Sequence, residues 1–264
     1  MGFSLQKGAK GGIISPVYAA GVASGAQTEM GNSMGNFQSW LNQLNYEKLI
    51  ELVITVAAAL VCIIPHEVSH GYAAYRLGDP TAKNAGRLTL NPLRHIDPAG
   101  LLAMAVAHFG WAKPVPIQPA NFRHVRRDTA MTALAGPVAN VGITALALLM
   151  HNGVAGVSAF RSLPQWMEYV DLFFVYTAIL SANLAMFNLL PIPPLDGSKV
   201  LFSFLPRKYY EKLLQYEHHG FLLLAVFLWT GVLDRPLTFL REGLIHLLWP
   251  ICSWPVEQLL HFFH

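Results

Sequence analysis

Residues 62–75 read Cys62-Ile-Ile-Pro65-His66-Glu67-Val-Ser-His70-Gly-Tyr-Ala-Ala-Tyr75, and this stretch decides how the chain is read. It ends a long apolar run with the pattern His-Glu-x-x-His. On a helix, residues four apart point the same way, so His66 and His70 share a face. Two imidazoles so placed can bind one Zn²⁺. Glu67 stands about 100° round the axis, where it can reach a metal-bound water without itself being a ligand. By chance, this composition gives the pattern roughly 0.015 times per chain. The bland alternative is a polar helix end with inert, hydrogen-bonded histidines. Ionisable groups in an apolar segment are costly and usually functional, which favours the metal.

Outward from this stretch the chain is apolar. Of its 264 residues 53% are hydrophobic and 12% charged, against about 25% charged in soluble domains. Mean hydropathy is +0.39. These values indicate an all-α polytopic membrane protein with about 4–6 transmembrane helices. The spacing predicts spans over 48–77, 129–150, 170–190 and 219–233. The stretch 237–262 is a fifth span or an interfacial helix, interrupted by Pro250 and Pro255. The first helix, about 45 Å long, exceeds a ~30 Å hydrocarbon core. Pro65 inside it predicts a kink that opens room for water.

Between the first two spans lies a region too polar or too short to cross. Gly86 to Leu90 alternates as a strand does. Gly100 to Trp111 is apolar but below the ~17 residues a span needs, and reads as re-entrant or interfacial. Lys113-Pro-Val-Pro-Ile-Gln118 is extended, since proline disfavours helix before it, and such pieces can pair with an unwound peptide. Residues 1–45 read as a flexible tail, or as a secretory signal around Ile13 to Ala23. Thus 1–45 is a tail, 46–205 the catalytic membrane core and 206–264 a pair of C-terminal hydrophobic helices. Cys62 and Cys252 sit in apolar segments and read as buried thiols. The basic residues flank apolar segments as membrane anchors do, and no nucleic-acid motif is present.

Charge orients the spans. Eight Lys and Arg lie from Arg76 to Arg127 and four from Lys199 to Lys212, but only Arg161 lies between the second and third spans. The first two regions are therefore expected on the cytoplasmic side. His66, His70 and Asp196 then reach the same side.

A catalytic zinc keeps three protein ligands and one open position. Asp196 is the candidate third ligand, in a proline-rich break that must unwind at membrane depth. Its competing role is to cap the helix that starts after Gly197. Asp97 is the alternative ligand, although Asp before Pro usually forms a turn. His95, His108, His124, His218 and His219 read as interfacial or solvated. Asn140 and Asn188 carry amides that can hold a substrate backbone or a developing oxyanion; helix–helix hydrogen bonding is the alternative. Ala135 and Ala139 form a small-x-x-x-small pair that favours close packing.

Three motifs together, His66-Glu-Val-Ser-His70, Gly136-Pro-Val-Ala-Asn140 and Asn188-Leu-Leu-Pro-Ile-Pro-Pro-Leu-Asp196-Gly197, resemble the site-2 protease family of intramembrane zinc metalloproteases. The stretch from Gly78-Asp-Pro-Thr-Ala to Asn91-Pro-Leu-Arg-His-Ile-Asp-Pro is similar to the compact bacterial branch, without a PDZ or CBS domain. The likeness covers about residues 50–205. It implies His66, His70 and Asp196 as ligands of one zinc and Glu67 as general base. It also implies a substrate or oxyanion role for Asn140 and includes Asn188 in the motif around Asp196. The implied partners are a transmembrane-helix substrate and the bilayer, in a prokaryotic inner membrane. Rival readings are a membrane metal transporter and an inactive membrane scaffold. The transporter reading predicts ionisable groups along several spans and an inverted repeat.

Overall fold

The computed structural model describes residues 46–97, 113–158, 162–206 and 217–263. The tail expected over 1–45 and the re-entrant stretch around 100–111 lie outside the described residues. The helices are α1 (Tyr46–Arg76), α2 (Thr81–Asn84), α3 (Val125–Ser158), α4 (Gln165–Asn188), α5 (Asp196–Ser203), α6 (Glu217–Trp229) and α7 (Asp234–Phe263), with 3-10 turns at Pro92–Arg94 and Pro119–Asn121.

The chain is an all-α polytopic membrane protein. Among the described residues, α1, α3 and α4 are each long and apolar enough to cross a membrane. The segments Gly220–Trp229 and Asp234–Leu259 meet at 89° and make a fourth crossing if they are one span. The count is thus three or four, at or below the low end of the expected range. The expected break at Pro250 and Pro255 is absent, and α7 runs through both. Neighbouring helices can re-satisfy the backbone that a membrane proline frees. Here α7 packs on α3 and α4, and the Cys252 thiol donates to the Ala145 carbonyl at 3.3 Å. Cys62 and Cys252 are buried free thiols, as expected.

Burial explains how three helices come so close. Ala178, Ser181, Ala182 and Ala185 form the buried stripe of α4. Ala133, Gly136, Pro137, Asn140, Thr144 and Ala147 belong to that of α3. Large apolar groups such as Leu52, Val53, Val56, Val61, Leu146 and Trp166 face outward. Small residues inside and bulky ones outside suit helices that pack in lipid, where burying Leu against Leu brings no gain over lipid tails. The close-packing stripe on α3 is therefore not the Ala135–Ala139 pair, both of which are only half-buried.

The strand expected at 86–90 does not form, and 113–118 belongs to neither helix nor strand. Their backbone groups go to side chains and single loop bonds instead of to a ladder. Arg87 Nη2 donates to the Lys113 carbonyl at 2.6 Å, and Lys113 N donates to the His95 carbonyl at 2.8 Å. Val115 N donates to Glu67 Oε2 at 3.0 Å, and Gln118 N to Asp79 Oδ2 at 2.7 Å. Pro114 and Pro116 have no N–H to offer. The segment can lie on α1 because position 71 is glycine: a Cβ there would meet Val115 Cγ1 at 2.7 Å and Leu88 Cδ2 at 2.8 Å.

Asp79 anchors the far end of this segment. It is fully buried and accepts from Thr81 N at 3.1 Å, from the Thr81 hydroxyl, from Asn121 Nδ2 at 2.7 Å and from Gln118 N. Burial alone would raise its pKa, but these hydrogen bonds outweigh it and hold the carboxyl below its ordinary value. A group depressed in the folded state adds stability above its unfolded pKa and loses it as pH falls through the folded one. Asp79→Asn aims an amide at the Gln118 N–H and is expected to destabilise by about 1–3 kcal/mol at neutral pH. The gap between the two proteins should narrow below about pH 4. Thermal unfolding of both across that range checks this; a gap independent of pH would contradict it.

Candidate metal centre and catalytic cavity

His66 and His70 lie one turn apart on α1, and both are buried. Asp196 arrives from the start of α5, 126 residues after His70 in the chain. Its Oδ2 stands 3.0 Å from His70 Nε2 and 3.4 Å from His66 Nε2, and the two Nε2 atoms are 3.0 Å apart. Asp196 Oδ1 faces Lys199 Nζ at 3.8 Å. Leu195 holds the N-cap position of α5 and no side chain caps the helix, so the Asp196 carboxylate is turned to the histidines instead of serving as a cap. Asp97 is outside the group; among the described residues the three that could share a metal are His66, His70 and Asp196.

The surroundings fix both rings. His66 Nδ1 donates to Asn140 Oδ1 at 3.0 Å, and His70 Nδ1 donates to the Thr132 carbonyl at 2.7 Å. With both protons on Nδ1, each Nε2 presents a lone pair to the other and to the Asp196 carboxylate. Three acceptors facing one another without a shared proton fit a cation. Four ligands around a tetrahedral zinc at ~2.0–2.1 Å stand ~3.3 Å apart, close to the spacing seen here. The residues present therefore fit zinc.

Asn140 lies beneath His66 and not in the cavity. It is fully buried, and its Nδ2 donates to Ser181 Oγ at 3.1 Å and to the Cys62 carbonyl at 3.4 Å. Its amide is fully engaged inside the bundle, which leaves nothing for an oxyanion. Its place is that of a positioning residue for His66. Partners that orient a ligating histidine typically contribute 10–100-fold in metal affinity. Asn140→Ala is expected to weaken zinc binding by about that factor, as read by competition with a chromogenic chelator. Unchanged affinity would remove Asn140 from the site.

Gly136 lets α3 reach the histidines. A Cβ there would fall on His70 Nε2 and on His66 Cε1. The motif Gly136-Pro-Val-Ala-Asn140 thus places a bare backbone against the rings and, one turn on, the amide that holds His66.

A cavity of about 350 Å³ opens beside the metal residues. His66, Glu67, His70 and Asp196 line it together with Pro114, Val115, Thr129, Thr132, Asn188 and Lys199. Glu67 is held by the Val115 N–H, which orients its carboxylate from the loop side. Asn188 lines the cavity while its Nδ2 donates back to the Leu184 carbonyl at 2.9 Å.

The family model for peptidase family M50 matches residues 54–229, which include all of these residues. The chain belongs to peptidase family M50. Over 217 residues, 80% of this chain and 90% of the relative, it is 36% identical to "Putative zinc metalloprotease YwhC" of Bacillus subtilis. It is 30% identical over 189 residues, 69% of each chain, to "Putative zinc metalloprotease Rip2" of Mycolicibacterium smegmatis. A Mycobacterium tuberculosis protein also named Rip2 is 30% identical over 158 residues, 56% of each chain. No solved structure matches. The M50 chain is accordingly a zinc metalloprotease embedded in a membrane.

Two residues of this M50 chain that hold the loop segment beside the site escape a reading of the sequence. Asp79 is one; its signal is the turn Gly78-Asp-Pro-Thr81, where Asp followed two residues on by Thr favours side-chain-to-backbone bonds. His95 is the other. It is 2% exposed, where an interfacial or solvated histidine is expected. Its Nε2 donates to the Thr89 carbonyl at 2.8 Å and its own carbonyl accepts from Lys113 N, so it ties the two loop stretches together.

Proposed function

We propose that the protein is an intramembrane endopeptidase that cleaves transmembrane segments of other membrane proteins. It uses one zinc per chain and works in a prokaryotic inner membrane with its site towards the cytoplasm. The observation that carries this is the placing of His66, His70 and Asp196 around one point in a cavity inside a bundle whose long helices are built to cross a bilayer.

When bound, zinc supplies a Lewis acid that polarises the scissile carbonyl and brings the pKa of a water to about 7. Glu67 takes the proton of the attacking water and returns it to the leaving amine. The Val115 N–H keeps the Glu67 carboxylate aimed during both transfers. His66 and His70 stay in one tautomer through Asn140 and the Thr132 carbonyl. A helical peptide bond is shielded and its carbonyl already hydrogen-bonded, so the substrate must unwind to enter. An apolar cavity of about 490 Å³, lined by Cys62, Ile63, Leu180, Leu184 and Phe187 among others, offers a berth for the part that stays helical. Ile63 is one turn before Glu67 and Leu184 one turn before Asn188 on the same helices.

The test is cleavage in vesicles. Full-length protein is reconstituted with a membrane-anchored reporter, and the product ends are mapped by mass spectrometry. A zinc-dependent cut within the transmembrane segment is expected. Cuts confined to soluble peptides would contradict the reading, and zinc uptake into sealed vesicles without any cut would favour a transporter.

A further inference from the structure

Thr129 and Thr132 stand one helical turn apart on α3 and both line the catalytic cavity. Their hydroxyl oxygens are buried and make no hydrogen bond among the described residues. Thr132 is only 3% exposed. Other threonines of the bundle behave differently: Thr144 and Thr177 return their hydroxyls to the carbonyls of Asn140 and Phe173, four residues back. A buried hydroxyl without a partner is costly, and native proteins keep few of them. Two on one wall of one cavity point to a ligand with polar groups.

The remaining walls say which polar groups. Pro114 carries no N–H, and the N–H of Val115 is taken by Glu67. Asn188 Nδ2 spends one of its two N–H groups on the Leu184 carbonyl. Lys199 stands at Asp196. An unwound peptide brings bare backbone carbonyls into the cavity, each in need of a donor. The hydroxyls of Thr129 and Thr132 are uncommitted donors on the wall that also carries the carbonyl holding His70.

We propose that the hydroxyls of Thr129 and Thr132 are a substrate-positioning pair that hydrogen-bonds the backbone carbonyls of the unwound peptide. This rests on the endopeptidase reading, since only a peptide threaded past the metal residues brings such carbonyls there. The i, i+3 spacing gives two contacts along one helix face, so the pair sets the direction and depth at which the chain is held.

The experiment compares two probes on the full-length, zinc-loaded protein in detergent: acetohydroxamate, which addresses the metal alone, and a capped dipeptidyl hydroxamate, which adds a peptide backbone. Affinities are measured by calorimetry for wild type, Thr129→Val, Thr132→Val and Thr132→Ser, with zinc content measured for each. Each valine variant is expected to weaken the dipeptidyl probe by about two- to tenfold, the worth of one neutral hydrogen bond. Acetohydroxamate affinity and zinc content should stay as in wild type, and Thr132→Ser, which keeps the hydroxyl, should recover the dipeptidyl affinity. Unchanged dipeptidyl binding in both valine variants would overturn the proposal. So would equal weakening of both probes, or zinc loss in Thr132→Val and Thr132→Ser alike, because the threonines would then act on the metal residues. A zinc-free wild type that binds neither probe would overturn the endopeptidase reading and this proposal with it.

Discussion

Glu67→Gln protein is expected to keep its zinc and to lose cleavage by about 10²–10⁴-fold, the usual worth of a general acid–base. The substitution is close to isosteric. Its amide oxygen can still accept from the Val115 N–H, as Glu67 Oε2 does at 3.0 Å. The segment that roofs the cavity should therefore stay where it is, and only the capacity to take and return a proton is removed. Measuring metal content and cleavage on the same preparation separates the two effects. Cleavage at the wild-type rate would remove Glu67 from the chemistry. Loss of zinc together with activity would show that Glu67 supports the metal residues, contrary to its bond to the loop.

Gly136→Ala is expected to be nearly as damaging, although it adds one methyl group and touches no reacting atom. The new Cβ would occupy the space of His70 Nε2 and the edge of His66. These atoms belong to rings that Asn140 and Thr132 hold in place, not to the free end of a flexible side chain. Either α3 withdraws and breaks the bonds from Nδ1, or both rings turn and Nε2 no longer meets Asp196. Zinc affinity should fall by at least the 10–100-fold attached to one orienting partner, since two are disturbed at once. Chelator competition reads this directly. Wild-type affinity would mean that the helix can shift without cost, and that the close approach is not what builds the site.

The convergence of His66, His70 and Asp196 was legible because each carries its own local signal. His66 and His70 need only helical spacing within one apolar run. Asp196 needs only the run of prolines that stops α4 and the glycine after it. The three spanning helices follow from length and hydropathy. What escaped depends on contacts between distant segments. For Asn140 the sequence leaves a substrate amide and a helix–helix hydrogen bond side by side, and the bond to Ser181, 41 residues away, is what separates them. The stretch 113–118 reads as extended from its prolines, but nothing local shows that its partners are two carboxylates, Glu67 and Asp79. His95 looks polar and solvated in a loop sequence, and only the docking of Lys113 onto its carbonyl covers it. A span broken at Pro250 and Pro255 was a reasonable expectation for a lone helix, but α3 and α4 pack along α7 and sustain it.

The most direct measurement is the zinc content of purified protein, with wild type beside His66→Ala and Asp196→Ala. His66 and Asp196 come from α1 and α5, 130 positions apart in the chain, and their ligand atoms stand 3.4 Å from each other. Wild type should hold about one zinc per chain and both variants should lose it, because removing any one of three ligands leaves a structural gap that water fills poorly. Full zinc in Asp196→Ala would contradict the convergence of α1 and α5 on one metal, and with it the catalytic site described above.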